Sequence, residues 1–162
     1  MSSEFRSGRH VVFNLHAHLV FLPKYRHGVL TERAFAILRK AWESVCRDFE
    51  CELEEANHEP DHVHLLVAYP PKVALSTLVN SLKGVSARRI RAARLPEVDR
   101  KLWGEHFWSP SYCAVSCGGA PLDIVKQYIQ AQSHEGASSE VPLLPHLKEG
   151  VSAARGQKRD HR

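Results

Sequence analysis

The feature that most constrains this chain is the run HVHLLVAY at positions 62–69. Its residues alternate, with His62 and His64 in one phase and Val63, Leu65 and Val67 in the other. Side chains at i and i+2 of a strand share a face, so the run reads as a strand whose apolar side enters a core. Pro60-Asp61 precedes it and Pro70-Pro71 breaks the chain after it.

Around this strand the remaining elements fall into place. Val11 to Leu22 (VVFNLHAHLVFL) is β-branched and aromatic and predicts a first strand. A loop follows, and Thr31 is a candidate N-cap for a helix to about Phe49. That helix carries an apolar stripe of Phe35, Leu38, Trp42, Val45 and Phe49 at spacings of three and four. CELEEANH (51–58) predicts a more polar strand. ALSTLVNSLKGVSARRIRAAR (74–94) predicts a second helix, WGEHFWSP an irregular segment and SYCAVSC (111–117) a fourth strand. Gly118-Gly119 interrupts the chain, and PLDIVKQYIQAQ opens a last helix with Pro121 in its first turn. The order β-α-β-β-α-β is the split β-α-β of an α+β, ferredoxin-like antiparallel sheet, with its first and third strands paired at the centre and one helix added at the C-terminal end. Residues 1–137 read as one domain, and 138–162 as a basic, loosely ordered tail.

Composition excludes more than it selects. The chain has 162 residues, 43% of them hydrophobic, enough for a real core, and a formal net charge of +4. That charge leans mildly toward polyanionic partners. No apolar run approaches the roughly 18 residues of a membrane span, and the first residues lack the apolar centre of a signal peptide, so a cytoplasmic protein is expected. Cys46, Cys51, Cys113 and Cys117 lack zinc-ribbon spacing and read as buried, reduced thiols.

Three groups of residues could carry chemistry. His62 and His64 lie about 7 Å apart along one strand face and can converge on one divalent ion. The same spacing recurs at His16 and His18 in the first strand; the second pair could lie beside the first or on the opposite face. Tyr128 and Gln132 lie one turn apart on the last helix, beside the apolar stripe of Leu122, Val125 and Ile129. On the second helix Lys83, Arg88, Arg91 and Arg94 fall away from the Leu75, Leu78 and Leu82 stripe, as a solvated face or a phosphate track. Arg89 falls within the apolar arc, so it must snorkel outward or be held for a partner such as a phosphate. Lys24 and Arg26 could extend such a track, with Trp103, Phe107, Trp108 and Tyr112 as stacking surfaces or as ordinary core.

The stretches HLVFLPKYRHGVL, PDHVHLL, LKGVSARRI, LWGEHFWSPSYC and YIQAQ occur in this order over roughly residues 9–135. Together they resemble the TnpA-type transposases of small bacterial insertion sequences, the single-tyrosine branch of the HUH nucleases. The resemblance implies that His62, His64 and Gln132 bind Mg²⁺ or Mn²⁺ and that Tyr128 is the nucleophile, with His16 and His18 structural or lining the site. It implies cleavage and rejoining of single-stranded DNA at hairpin-bearing element ends through a 5′-phosphotyrosine intermediate. It also implies a homodimer in which the tyrosine helix of one subunit completes the histidine site of the other, with Gly118 and Gly119 as the hinge. The basic helix and Arg9 become candidate hairpin contacts. Other readings stay open: a domesticated nuclease acting on host repeat hairpins, or a non-catalytic single-strand-binding module. A zinc hydrolase built on His16 and His18 would need a carboxylate or water-activating site, and none is apparent.

Overall fold

The computed structural model describes residues 5–24, 28–102, 104 and 106–116. All lie in the first of two compact units, Met1–Ala120, and the division expected near residue 137 falls outside them. The four-stranded sheet is built from β3 (His16–Phe21), β4 (Glu52–Glu59), β5 (His62–Ala68) and β6 (Cys113–Ser116), in the order β4-β5-β3-β6. Every pairing is antiparallel. The first and third strands of this sheet are central neighbours, as the element order predicts for a ferredoxin-like fold.

Helices α1 (Glu32–Asp48) and α2 (Leu75–Ala92) join the strands. Thr31 caps α1, its Oγ1 accepting from the Ala34 amide at 3.3 Å. At the other end Glu50 turns left-handed (φ 57°). The Cys51 amide then reaches back to the Cys46 carbonyl at 2.8 Å, satisfying an orphan acceptor of the last turn. The odd-numbered face of the central strands, Ala17, Leu19, Phe21, Val63, Leu65 and Val67, is buried in one cluster with Leu38, Trp42, Leu78, Leu82 and Ile90 of the helices. Apolar spacing of three and four on the helices and of two on the strands brings these stripes together.

The structure departs from the sequence reading in three places. The first strand is not continuous: Arg6–Ser7 (β1) and Val12–Phe13 (β2) form a separate two-stranded hairpin, and the main sheet starts at His16. Strand β4 carries a register shift between Leu53 and Glu55, which inserts Glu54 as an extra residue. A short helix, α3 (Pro96–Asp99), follows α2, with proline in its first turn. Of the four aromatics read as stacking surfaces or ordinary core, Phe107 and Trp108 are core residues, 2% and 5% exposed, as the core reading expects. The Trp108 indole N–H donates to Ser86 Oγ at 3.0 Å, and that hydroxyl donates to the Leu82 carbonyl at 2.6 Å. Cys46, Cys51 and Cys113 are buried free thiols, as expected. Burial holds them protonated, with Cys46 pushed up to about 12 and Cys51 to about 11.

Candidate functional site on the histidine face

Register decides which residues meet on the second face of the sheet. His16 pairs with Ala68, His18 with Leu66, and Val20 with His64. All four histidines of the two H-x-H pairs therefore share the even-numbered face, away from the helices, with His18 next to His64 and His16 and His62 toward opposite ends, and the open choice of face is settled as the same face.

His18 and His64 are diagonal neighbours across the strand pair. His18 Nδ1 and His64 Nε2 lie 2.8 Å apart, one donating and the other accepting. Their rings are stacked, 15° from parallel with centroids 4.9 Å apart. Burial pushes the His64 pKa down, helped by the neighbouring His18 and His62. His64 is therefore neutral at pH 7 and keeps a ring lone pair. The His62 Nδ1–H donates to Asp61 Oδ1 at 2.8 Å. In a neutral ring that leaves the lone pair on Nε2, and carboxylates orient metal-binding imidazoles in this way. His16 Nε2 donates to Glu54 Oε1 at 3.0 Å; the extra residue in β4 supplies that carboxylate. Sequence reading found all four histidines but neither Asp61 nor Glu54. Adjacency to His62 could have signalled Asp61, whereas Glu54 depends on the bulge.

This donor set fits a divalent cation: two imidazoles of one strand share a face, one is kept neutral by burial and the other is oriented by a carboxylate. Among the described residues no group of three or more His, Cys, Asp or Glu side chains is arranged to hold a metal. The expected third ligand, Gln132, is an amide outside the described residues, as are Tyr128, Gly118, Gly119, Arg26 and the tail.

The basic residues go elsewhere. Helix α2 packs on the opposite face of the sheet, so Lys83, Arg88 and Arg89 belong to the layer behind the histidines. The Lys83 ammonium, placed by the wheel on the outer face, is half-buried and donates to the carbonyls of Ser109, Pro110 and Ser111 at 2.6, 3.3 and 3.3 Å. Burial pushes its pKa down to about 8. Arg89 does leave the apolar arc, and it is held by α1, donating to Ser44 Oγ at 3.2 Å and the Lys40 carbonyl at 3.5 Å. Arg9, Lys24 and Arg88 are exposed.

Comparison with known proteins adds the missing context. Residues 11–132 match the family described as "Transposase IS200 like". The chain is 36% identical to the ISDra2 transposase TnpA of Deinococcus radiodurans over 129 residues, covering 80% of this chain and 91% of the relative. It is 29% identical to the transposase for insertion sequence element IS200 of Salmonella typhimurium over 145 residues, 87% of this chain and 91% of the relative. A crystal structure of a candidate transposase from Deinococcus radiodurans superposes with a TM-score of 0.70 at 34% identity, covering 78% of this chain and 97% of that one. The described residues contain no helix long and apolar enough to cross a membrane.

Proposed function

The chain belongs to the IS200-like transposase family, a family of DNA-processing enzymes, and from that premise we propose that it cleaves and rejoins single-stranded DNA by transesterification at hairpin-bearing element ends. The observation that carries this reading is the histidine face, where His62 and His64 stand together with ordered partners on a family match that runs through Tyr128 to Gln132.

In this reading His62, His64 and Gln132 hold a divalent cation. When bound, Mg²⁺ or Mn²⁺ supplies Lewis acidity at the scissile phosphate, with Mn²⁺ the better match to imidazole. Asp61 fixes the tautomer of His62, and His18 holds the ring of His64. The Tyr128 hydroxyl attacks the scissile phosphorus, loses its proton and forms a 5′-phosphotyrosine ester, while the 3′-oxygen leaves and is protonated. The ester conserves the bond energy for rejoining, so no nucleotide cofactor is needed. Completion of each site by the partner subunit's tyrosine helix, with a hinge at Gly118-Gly119, belongs to the same proposal. Arg9, Lys24, Arg26 and Arg88 are its backbone-contact candidates.

The test is incubation of purified protein with labelled single-stranded hairpin DNA from its own flanks, with and without Mn²⁺ or Mg²⁺. A metal-dependent, SDS-resistant protein–DNA adduct is expected, absent in Tyr128→Phe and in His64→Ala. An adduct that survives in Tyr128→Phe removes the assigned nucleophile. Hairpin binding without any adduct favours the non-catalytic reading.

A further inference from the structure

Residues 5–15 (FRSGRHVVFNL) contain Arg6, Arg9 and His10 and no acidic residue. The same segment holds Phe5, Val11, Val12 and Leu15, the large hydrophobic side chains that are exposed among the described residues, with Phe5 68% exposed. Apolar groups interleaved with cations suit a partner that offers planar apolar surfaces and negative charge, which is single-stranded nucleic acid. The hairpin turn itself is tight, its Gly8 amide donating to the Val11 carbonyl at 2.7 Å.

At the base of this hairpin a pocket of about 150 Å³ opens between Phe5, Arg6 and Phe13 on one side and His16, Glu52 and Glu54 on the other. The Arg6 guanidinium lies over the Phe13 ring at 5.1 Å, and its Nη2 donates to the Glu50 carbonyl at 3.0 Å. Two polar atoms of the pocket walls, Arg6 Nη1 and Glu54 Oε2, are shut off from water and have no hydrogen-bond partner. The carboxylates of Glu52 and Glu54 repel a phosphate, so the pocket is no backbone site. A nucleobase lacks that charge, and its edge sets an N–H donor beside an acceptor. That pattern complements a carboxylate oxygen and a guanidinium N–H, and a base would reach both atoms, now shut off from water, only once the Arg6 and Glu54 side chains turn toward the pocket. His16 puts the pocket on the histidine face, two residues along β3 from His18.

Resting on the reading of the chain as an enzyme of single-stranded DNA, we propose that this pocket holds one unpaired nucleobase of the substrate. Phe5 and Phe13 are its stacking surfaces, Arg6 and Glu54 meet its edge, and Arg9 and His10 follow the adjoining phosphates.

The probe is a short oligodeoxythymidine carrying 5-iododeoxyuridine, photo-cross-linked to the full chain and mapped by mass spectrometry. Cross-links at Phe5, Phe13 or His16 are expected. Phe5→Ala, exposed and outside the core, should bind the probe about tenfold more weakly, the size of one lost base–aromatic stack, with thermal unfolding unchanged. Cross-links confined to other segments, or wild-type affinity in Phe5→Ala, overturn the proposal. So does a change in sedimentation of Phe5→Ala without a change in DNA binding, which would make the segment a protein contact. The Tyr128-dependent adduct, measured on the same preparation, separates the two levels. An adduct without these cross-links removes the pocket alone, while neither adduct nor DNA binding removes the enzymatic reading and the pocket with it.

Discussion

The two faces of the central strands are made from alternate residues of the same two segments, yet they do different work. On one face Leu19, Phe21, Val63, Leu65 and Val67 are fully buried beneath α1 and α2. Their environment is apolar and aromatic, with Phe21 edge-on to both Trp42 and Trp108. On the other face His16, His18, His62 and His64 are half-buried and hydrogen-bonded to one another or to carboxylates. The helix-covered face holds the strands in register, and register is what sets His18 against His64. Stability and chemistry are therefore separable by a single step along the chain.

Adjacent residues of β5 give the hardest test of that separation. Leu65→Ala should cost about 2–5 kcal/mol in urea unfolding, because it removes a fully buried side chain and leaves a cavity, while adduct formation per folded molecule stays near wild type. His64→Ala should change unfolding by about 1 kcal/mol or less in the absence of metal, yet abolish both Mn²⁺ binding by calorimetry and the adduct. A large stability loss in His64→Ala, or retained metal binding, would break the comparison.

How much of this was legible in the sequence comes down to the same alternation. Strand β5 and the fold order could be read because period two at 62–68 and periods of three and four on the helices point to one core. The Thr31 cap and the buried cysteines were legible on local grounds. The break before His16 was not, since Val11-Val12-Phe13 is as β-prone as the HAHLVF run of β3, and Asn14-Leu15 between them carries no glycine or proline. The bulge at Glu54 was hidden in a polar strand without alternation. The contact of His18 with His64 depends on the offset between two strands, which neither strand states alone. Lys83 was placed outward because a helical wheel knows nothing of a loop 26 residues away that comes to rest on it.

A smaller effect sharpens the chemical face. Asp61 orients His62 without being a proposed ligand, so Asp61→Asn should weaken Mn²⁺ binding about 10- to 100-fold while leaving urea unfolding of the metal-free protein near wild type. The amide can still accept from the His62 Nδ1–H, but it lacks the charge that raises ligand basicity. An unchanged affinity would assign Asp61 to the strand turn instead of the site.

The smallest effect tests on which side of the comparison Lys83 belongs. Its ammonium faces the carbonyls of Ser109, Pro110 and Ser111 and sits 5.9 Å from the centres of the Phe21 and Tyr112 rings. Burial lowers its folded pKa to about 8 from an ordinary 10.5. Between those values the unfolded chain binds more protons than the folded one, so this group's contribution to stability rises with pH across that window and is lost as pH falls through 8. Lys83→Met, which has nothing to titrate, should remove that slope from the stability profile measured by urea unfolding between about pH 7.5 and 10.5 (the upper limit being the ordinary lysine value). A phosphate contact predicts something else: loss of about 0.7 from the log–log salt dependence of single-strand binding, the share of one neutralised phosphate. We expect the pH slope to vanish and the salt slope to stay. The reverse pair of results would turn Lys83 from a clamp on the 109–111 loop into part of a DNA track, beside Arg88 on the helix layer behind the histidines.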